Sequence, residues 1–177
     1  MPDEHPGRSV SVATVENDAP HIVLREIEDR DVDVLFEHAS DREAIRMAAF
    51  TSPAFDDRDA FRARLARIRR DPTTTNRVIE MDGRAVGHIA SFDLDGKREV
   101  TYWIDRQHWG KGIATRALRE FVTRIEPARP LHAAAAADNA GSIRVLEKCG
   151  FTRVAVGRGF AHGRGEETAE VILRLDT

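Results

Sequence analysis

Cysteine and tyrosine are almost missing from this 177-residue chain, with one of each, and tryptophan occurs twice. The lone Cys149 cannot form an intrachain disulfide, which fits a reducing compartment. No apolar run approaches the roughly 20 residues that a membrane span requires. The start, Met1-Pro2-Asp3-Glu4-His5, lacks the basic flank and apolar stretch of a secretory signal, so a cytoplasmic location is expected. Neither sign of charge dominates. The 27 Lys and Arg against 30 Asp and Glu leave a net charge of -3, which gives no bulk attraction to nucleic acid or to an anionic membrane. Seven histidines are scattered without a pair at ligand spacing, so no metal site is expected. What remains is the composition of an ordinary soluble domain, 41% hydrophobic and 32% charged.

The length suits one domain. Residues 1–20 mix charge, Pro and Gly without helical period and read as a loose tail before a single domain over 21–177. Ile22 to Ile27 has strand composition, and Val32, Leu35, Phe36 and Ala39 then recur on one helical face. A short helix is expected over Asp41 to Ala48. Another starts at Asp56-Asp57 and buries Phe61, Leu65 and Ile68. Asp82-Gly83 and Asp95-Gly96 mark two tight hairpins in a three-strand meander that ends at Ile104. Helix Gly112 to Ile125, strand Leu131 to Ala136, and a helix capped by Asn139 or Asp138 and stopped by Gly150 follow. Strands Phe151 to Val156 and Thr168 to Leu175 close the chain around a glycine-rich loop, Gly157 to Glu167. The order predicts a mixed α/β sandwich.

The stretch Tyr102 to Leu118 carries the chemistry. A strand ends in the turn Trp109-Gly110-Lys111-Gly112, which opens directly into an amphipathic helix. Such a turn aims successive N–H groups at one spot, where the helix dipole also favours negative charge. Two glycines let a phosphate approach without a Cβ in the way. The spacing is neither the dinucleotide fingerprint nor a P-loop. By itself, a glycine pair reads equally as a ligand-free turn.

A second segment changes the balance. Trp109-Gly110-Lys111-Gly112-Ile113-Ala114 followed by Asn139-Ala140-Gly141-Ser142-Ile143-Arg144-Val145-Leu146-Glu147-Lys148-Cys149-Gly150-Phe151 resembles the GCN5-related N-acetyltransferase (GNAT) superfamily, in particular its ribosomal-protein N-terminal acetyltransferase branch. That resemblance implies a mostly antiparallel central sheet flanked by helices, in which Glu99 to Ile104 splays from Leu131 to Ala136. Acetyl-CoA would wedge into the gap as co-substrate and transfer its acetyl group to an amine acceptor. The implied partners are these two molecules, on a monomer or homodimer. The superfamily's pyrophosphate motif, Gln/Arg-x-x-Gly-x-Gly/Ala, maps onto Trp109, Gly112 and Ala114. With Trp109 in the place of the usual Gln or Arg, anion binding rests on the N–H groups of Gly110, Lys111, Gly112, Ile113, Ala114 and Thr115.

The resemblance also implies roles for side chains. Main-chain groups near Trp103 and Ile104 would bond the pantetheine amides from one side, and Asn139 from the other while capping its helix. Arg116, Arg144 and Lys148 are candidates for the 3′-phosphate. Acetyl transfer needs an amine stripped of its proton, a donor for the oxyanion and a donor for the departing thiolate. Glu99 is placed as the general base, with a solvent-facing strand carboxylate as the competing reading. Ser142, one turn after Asn139, would donate to the sulfur. A main-chain N–H near Ile104 would serve the oxyanion. Tyr102 and Phe160 are expected to line the acceptor site, with Met47 to Asp59 as its other wall. A non-catalytic acyl-CoA-binding module is the rival from another class.

Overall fold

The computed structural model describes residues 21–52 and 57–177. The expected tail over 1–20, Asp56 at the start of the third helix and part of the expected acceptor wall lie outside the described residues. The chain runs β1 (Ile22–Arg25), α1 (Val32–Ser40), α2 (Arg42–Ala48), α3 (Arg58–Arg70), β2 (Thr75–Met81), β3 (Arg84–Leu94), β4 (Lys97–Ile104), α4 (Ile113–Glu120), β5 (Leu131–Ala136), α5 (Ala140–Lys148), β6 (Thr152–Ala161) and β7 (Glu166–Leu175). Seven strands form one sheet in the order β1-β2-β3-β4-β5-β7-β6. Only β4 and β5 are parallel; all other neighbours are antiparallel.

The hairpin turns follow the Asp-Gly signals. Asp82 and Asp95 take positive φ of 51° and 50°, and Gly83 and Gly96 follow at 75°, the left-handed pair that a two-residue turn demands. Asp41 caps α2 by accepting from Glu43 and Ala44 N–H, and Asp57 caps α3 in the same way. On one face of the sheet, Ile113, Ala117 and Leu118 of α4, Phe121 just after it, and Ile143 and Leu146 of α5 pack on Ile89, Val100, Ile104, Leu131 and Leu173. On the other, Leu35 of α1 meets Val78 and Ile27, flanked by Phe61 and Leu65 of α3. The site lies between these two layers.

Two expectations are corrected. The helix expected over Gly112 to Ile125 is α-helical only to Glu120; Phe121–Ile125 widens into a π turn closed by Glu126 N–H to Phe121 C=O. The expected loop Gly157 to Glu167 is mostly strand, with only residues 162–165 turning. Gly157 and Gly159 answer to neighbours, since a Cβ on Gly157 would press on Glu170 and Gly159 lies against the Phe50 ring, whereas Gly165 serves the turn at φ 70°.

Candidate active site

The strand β4 and its parallel neighbour β5 pair at only two positions, Arg98 with Leu131 and Glu99 with His132. Beyond them the strands part, so the sheet holds the splayed pair that the sequence predicts. The vertex is clamped. Arg98 donates to the Glu126 carboxylate (2.8 and 2.9 Å), to Ser91 Oγ (3.0 Å) and to the Thr73 carbonyl (2.5 Å), and Glu126 also accepts from Ser91 Oγ–H and Ala128 N–H. Ser91 and Glu126 are buried. Burial opposes ionisation of Glu126, but these donors outweigh it and hold the carboxyl below the usual carboxylate range.

The hydrogen-bond parity of β4 decides which peptide groups face the gap. Asp105 N–H donates to Val86 C=O, so alternate residues Trp103, Thr101 and Glu99 spend their main-chain groups on β3. Tyr102 and Ile104 turn theirs towards β5. The Trp103 carbonyl oxygen lies against the Gly87 backbone on the β3 side. The Ile104 carbonyl accepts from the Trp109 indole N–H (2.8 Å), which ties the following turn to the strand and leaves the Ile104 N–H facing the gap.

That turn is an open anion cradle. Gly110 and Gly112 both sit at φ 75°, and no atom lies within 4 Å of where a Cβ would stand on either. Gly112 is the N-cap of α4 and offers no side chain to its first turn, so the N–H groups of Ile113, Ala114 and Thr115 point out of an uncapped helix end. Gly110, Lys111 and Gly112 are exposed. Trp109 acts as the pin of the turn rather than as a lost anion ligand.

Across the gap, Asn139 caps α5 through Oδ1, which accepts from Ser142 N–H (3.0 Å), while its Nδ2 donates to the Met47 carbonyl of α2 (3.3 Å). Ser142 Oγ lies 2.8 Å from the Tyr102 hydroxyl, which is also 3.1 Å from the Ser142 carbonyl oxygen. Tyr102 therefore packs on the α4–α5 side with Val100 and Ile104.

Glu99 projects from the opposite face of β4, beside His132. Burial pushes the Glu99 carboxyl above the ordinary carboxylate range, with His132 and Lys97 pulling it back and Glu170 and Asp95 adding to the rise. Phe160 stands near the end of β6. It is 53% exposed and stacks edge-on against His162 with ring centroids 5.3 Å apart. The aromatic ring that lies against Gly159 of β6 is Phe50, within the Met47 to Asp59 segment and packed with Ala49, Ala136 and Ala161. The end of α2 is fastened there by Gly163 N–H to Ala49 C=O (2.9 Å) and by Arg164, which bridges Asp138 (2.8 and 2.9 Å) and the Arg46 carbonyl (2.9 Å).

A splayed β4–β5 pair ending in an uncapped glycine turn is the arrangement that the GNAT resemblance implies, and the family comparison agrees. The GNAT acetyltransferase domain model matches residues 21–152. The chain belongs to the GNAT family. It carries an acetyltransferase domain of that family. It is 36% identical over 84 residues to the probable N-acetyltransferase YjcK of Bacillus subtilis, a match over 44% of this chain and 46% of that one. The match thus spans about half the length of that relative. A solved probable acetyltransferase superposes with a TM-score of 0.74 at 26% identity, covering 89% of this chain and 93% of that one. The spermidine N-acetyltransferase of Vibrio cholerae, solved with CoA and spermine, superposes at 0.72 with 17% identity, over 86% of this chain and 95% of the other. At that identity only the fold is shared.

Proposed function

We propose that this GNAT protein acetylates a primary amine by direct attack on the acetyl-CoA thioester, with a protein N-terminus or a small-molecule amine as acceptor. The observation that carries the reading is that Glu99 stands on one face of β4, at the point where it leaves β5, and Ser142 lies against the other face through Tyr102. Pantetheine lies along the Tyr102 and Ile104 peptide edge, and the pyrophosphate on Gly110 to Thr115. Glu99 takes the proton from the incoming ammonium; its burial makes it a stronger base than an exposed glutamate. The Ile104 N–H receives the oxyanion, and Ser142 donates to the departing sulfur. Asn139 holds Ser142 in place through its N–H. The Trp109 turn and the Asn139 to Phe151 helix favour the ribosomal-protein N-terminal branch within the family.

The test is thiol release from acetyl-CoA against a panel of amines: peptides with free N-termini, polyamines, aminosugars and lysine side chains. Turnover with one class names the acceptor. Saturable acetyl-CoA binding with no thiol release from any amine would overturn the catalytic reading in favour of an acyl-CoA-binding module.

A further inference from the structure

We propose that Tyr102 is a positioning residue for the hydrogen-bond donor, turning the single proton of Ser142 towards the leaving sulfur. This rests on the reading of Ser142 as that donor. The phenol has one proton and two acceptors in reach, Ser142 Oγ at 2.8 Å and the Ser142 carbonyl at 3.1 Å. While the phenol proton points at the carbonyl, the serine proton points back at the phenol oxygen and is lost to the gap. When the phenol proton swings to Oγ, the serine proton is released towards the gap and the serine becomes a better donor through the shared chain. The contact joins β4 to α5, so it bridges the two walls that acetyl-CoA would part. Ser142 is held on its other side by Asn139, which leaves the hydroxyl rotor as the one free variable.

Tyr102 does not supply the proton itself. Burial pushes its hydroxyl up to about 12, the bond to Ser142 only partly opposing this. A thiol resembling cysteine titrates at ~8.5, so neither the phenol nor the still less acidic serine hydroxyl loses its proton to the thiolate, and Ser142 contributes a hydrogen bond only. As the C–S bond breaks, its electron pair stays on sulfur and the carbonyl re-forms. Ser142 shares its hydrogen bond with that growing charge. The nitrogen sheds two protons over the reaction; one leaves through Glu99, and the other balances the thiolate, which departs as thiol.

The experiment compares Tyr102→Phe and Ser142→Ala on acetyl-CoA and on its selenoester analogue, whose leaving group is a weaker base and needs less help. Loss of a hydrogen bond to the developing charge should lower kcat on the thioester by about 10-fold and on the selenoester by no more than about 2-fold, with KM unchanged. The double variant should be no slower than Ser142→Ala. Equal loss on both esters, or no loss on either, in Tyr102→Phe overturns the positioning role. If Ser142→Ala lacks the thioester-selective loss, the donor reading itself fails as well. Should Tyr102→Phe not fold, uniform fluorotyrosine labelling replaces it, because Tyr102 is the chain's one tyrosine. A more acidic phenol should raise the thioester rate relative to the selenoester; an unchanged ratio overturns the proposal.

Discussion

The carbonyl oxygen of Trp103 occupies the space that a Cβ on Gly87 would need. Strand β3 is thus bare at the point where β4 leans on it, one residue from the register break between Ile79 and Glu80 of β2. The lean matters because it draws β4 away from β5. A Gly87→Ala substitution has to push the Trp103 peptide outward, into the gap. The expected cost is about 1–3 kcal/mol of stability, in line with other overpacked sites, together with weaker acetyl-CoA binding. Thermal unfolding and calorimetric titration of the same variant check both. Full affinity in the folded variant would mean that another contact sets the splay.

At Gly112 the backbone conformation and the ligand make separate demands. Its φ of 75° penalises any side chain, while the open space around it accepts one. Gly112→Asn, a residue tolerated in the left-handed region, should lose little affinity for acetyl-CoA. Gly112→Glu sets a carboxylate where the pyrophosphate would lie and should weaken binding by at least ~10-fold, about 1.4 kcal/mol. Equal affinity of the two variants would remove the turn from the site.

Much of this was legible along the chain because it is local. Asp82-Gly83 and Asp95-Gly96 specify turns whatever surrounds them, and Asn139 reads as a cap from its own neighbourhood. Alternation along β4 groups Tyr102 with Val100 and Ile104, away from Glu99, and the structure packs it on that face. Gly157 and Gly159 were taken for loop residues since glycine favours turns, yet what they accommodate, Glu170 and Phe50, comes from elsewhere in the chain. Phe50 itself follows Ala49, which holds a positive φ of 62°, and nothing periodic flags it. Contacts of that kind are properties of the assembled layers.

The clamp at the vertex should govern acid stability. Glu126 is held below the usual carboxylate range in the folded protein, so the unfolded chain binds its proton more readily. Its contribution is complete above the ordinary glutamate pKa and is lost as pH falls through the depressed folded value. Glu126→Gln leaves Arg98 without its buried partner and should cost about 3–5 kcal/mol at neutral pH, with the gap between variant and parent closing in acid. A pH series of denaturant midpoints shows it; a constant gap would mean that the carboxylate charge is irrelevant to the clamp.

Glu99 presents the opposite sign. Its carboxyl titrates above the unfolded value, chiefly because burial penalises the charge. Folding therefore favours the protonated form, and that advantage is complete below the unfolded pKa and lost as pH rises through the folded one. At neutral pH the ionised Glu99 is a liability to the fold, which a base in this position must accept in order to take a proton. Glu99→Gln should accordingly raise Tm at pH 7 while slowing acetyl transfer by about 10²-fold or more, the span of general-base catalysis. The gain in Tm should vanish in acid, where the parent carboxyl is already neutral. The parent's rate should rise with pH as Glu99 ionises, and the variant should lack that limb. A variant that is both slower and less stable at neutral pH, with the acid limb intact, would make Glu99 a structural strand residue and send the search for the base to His132, its neighbour across the vertex.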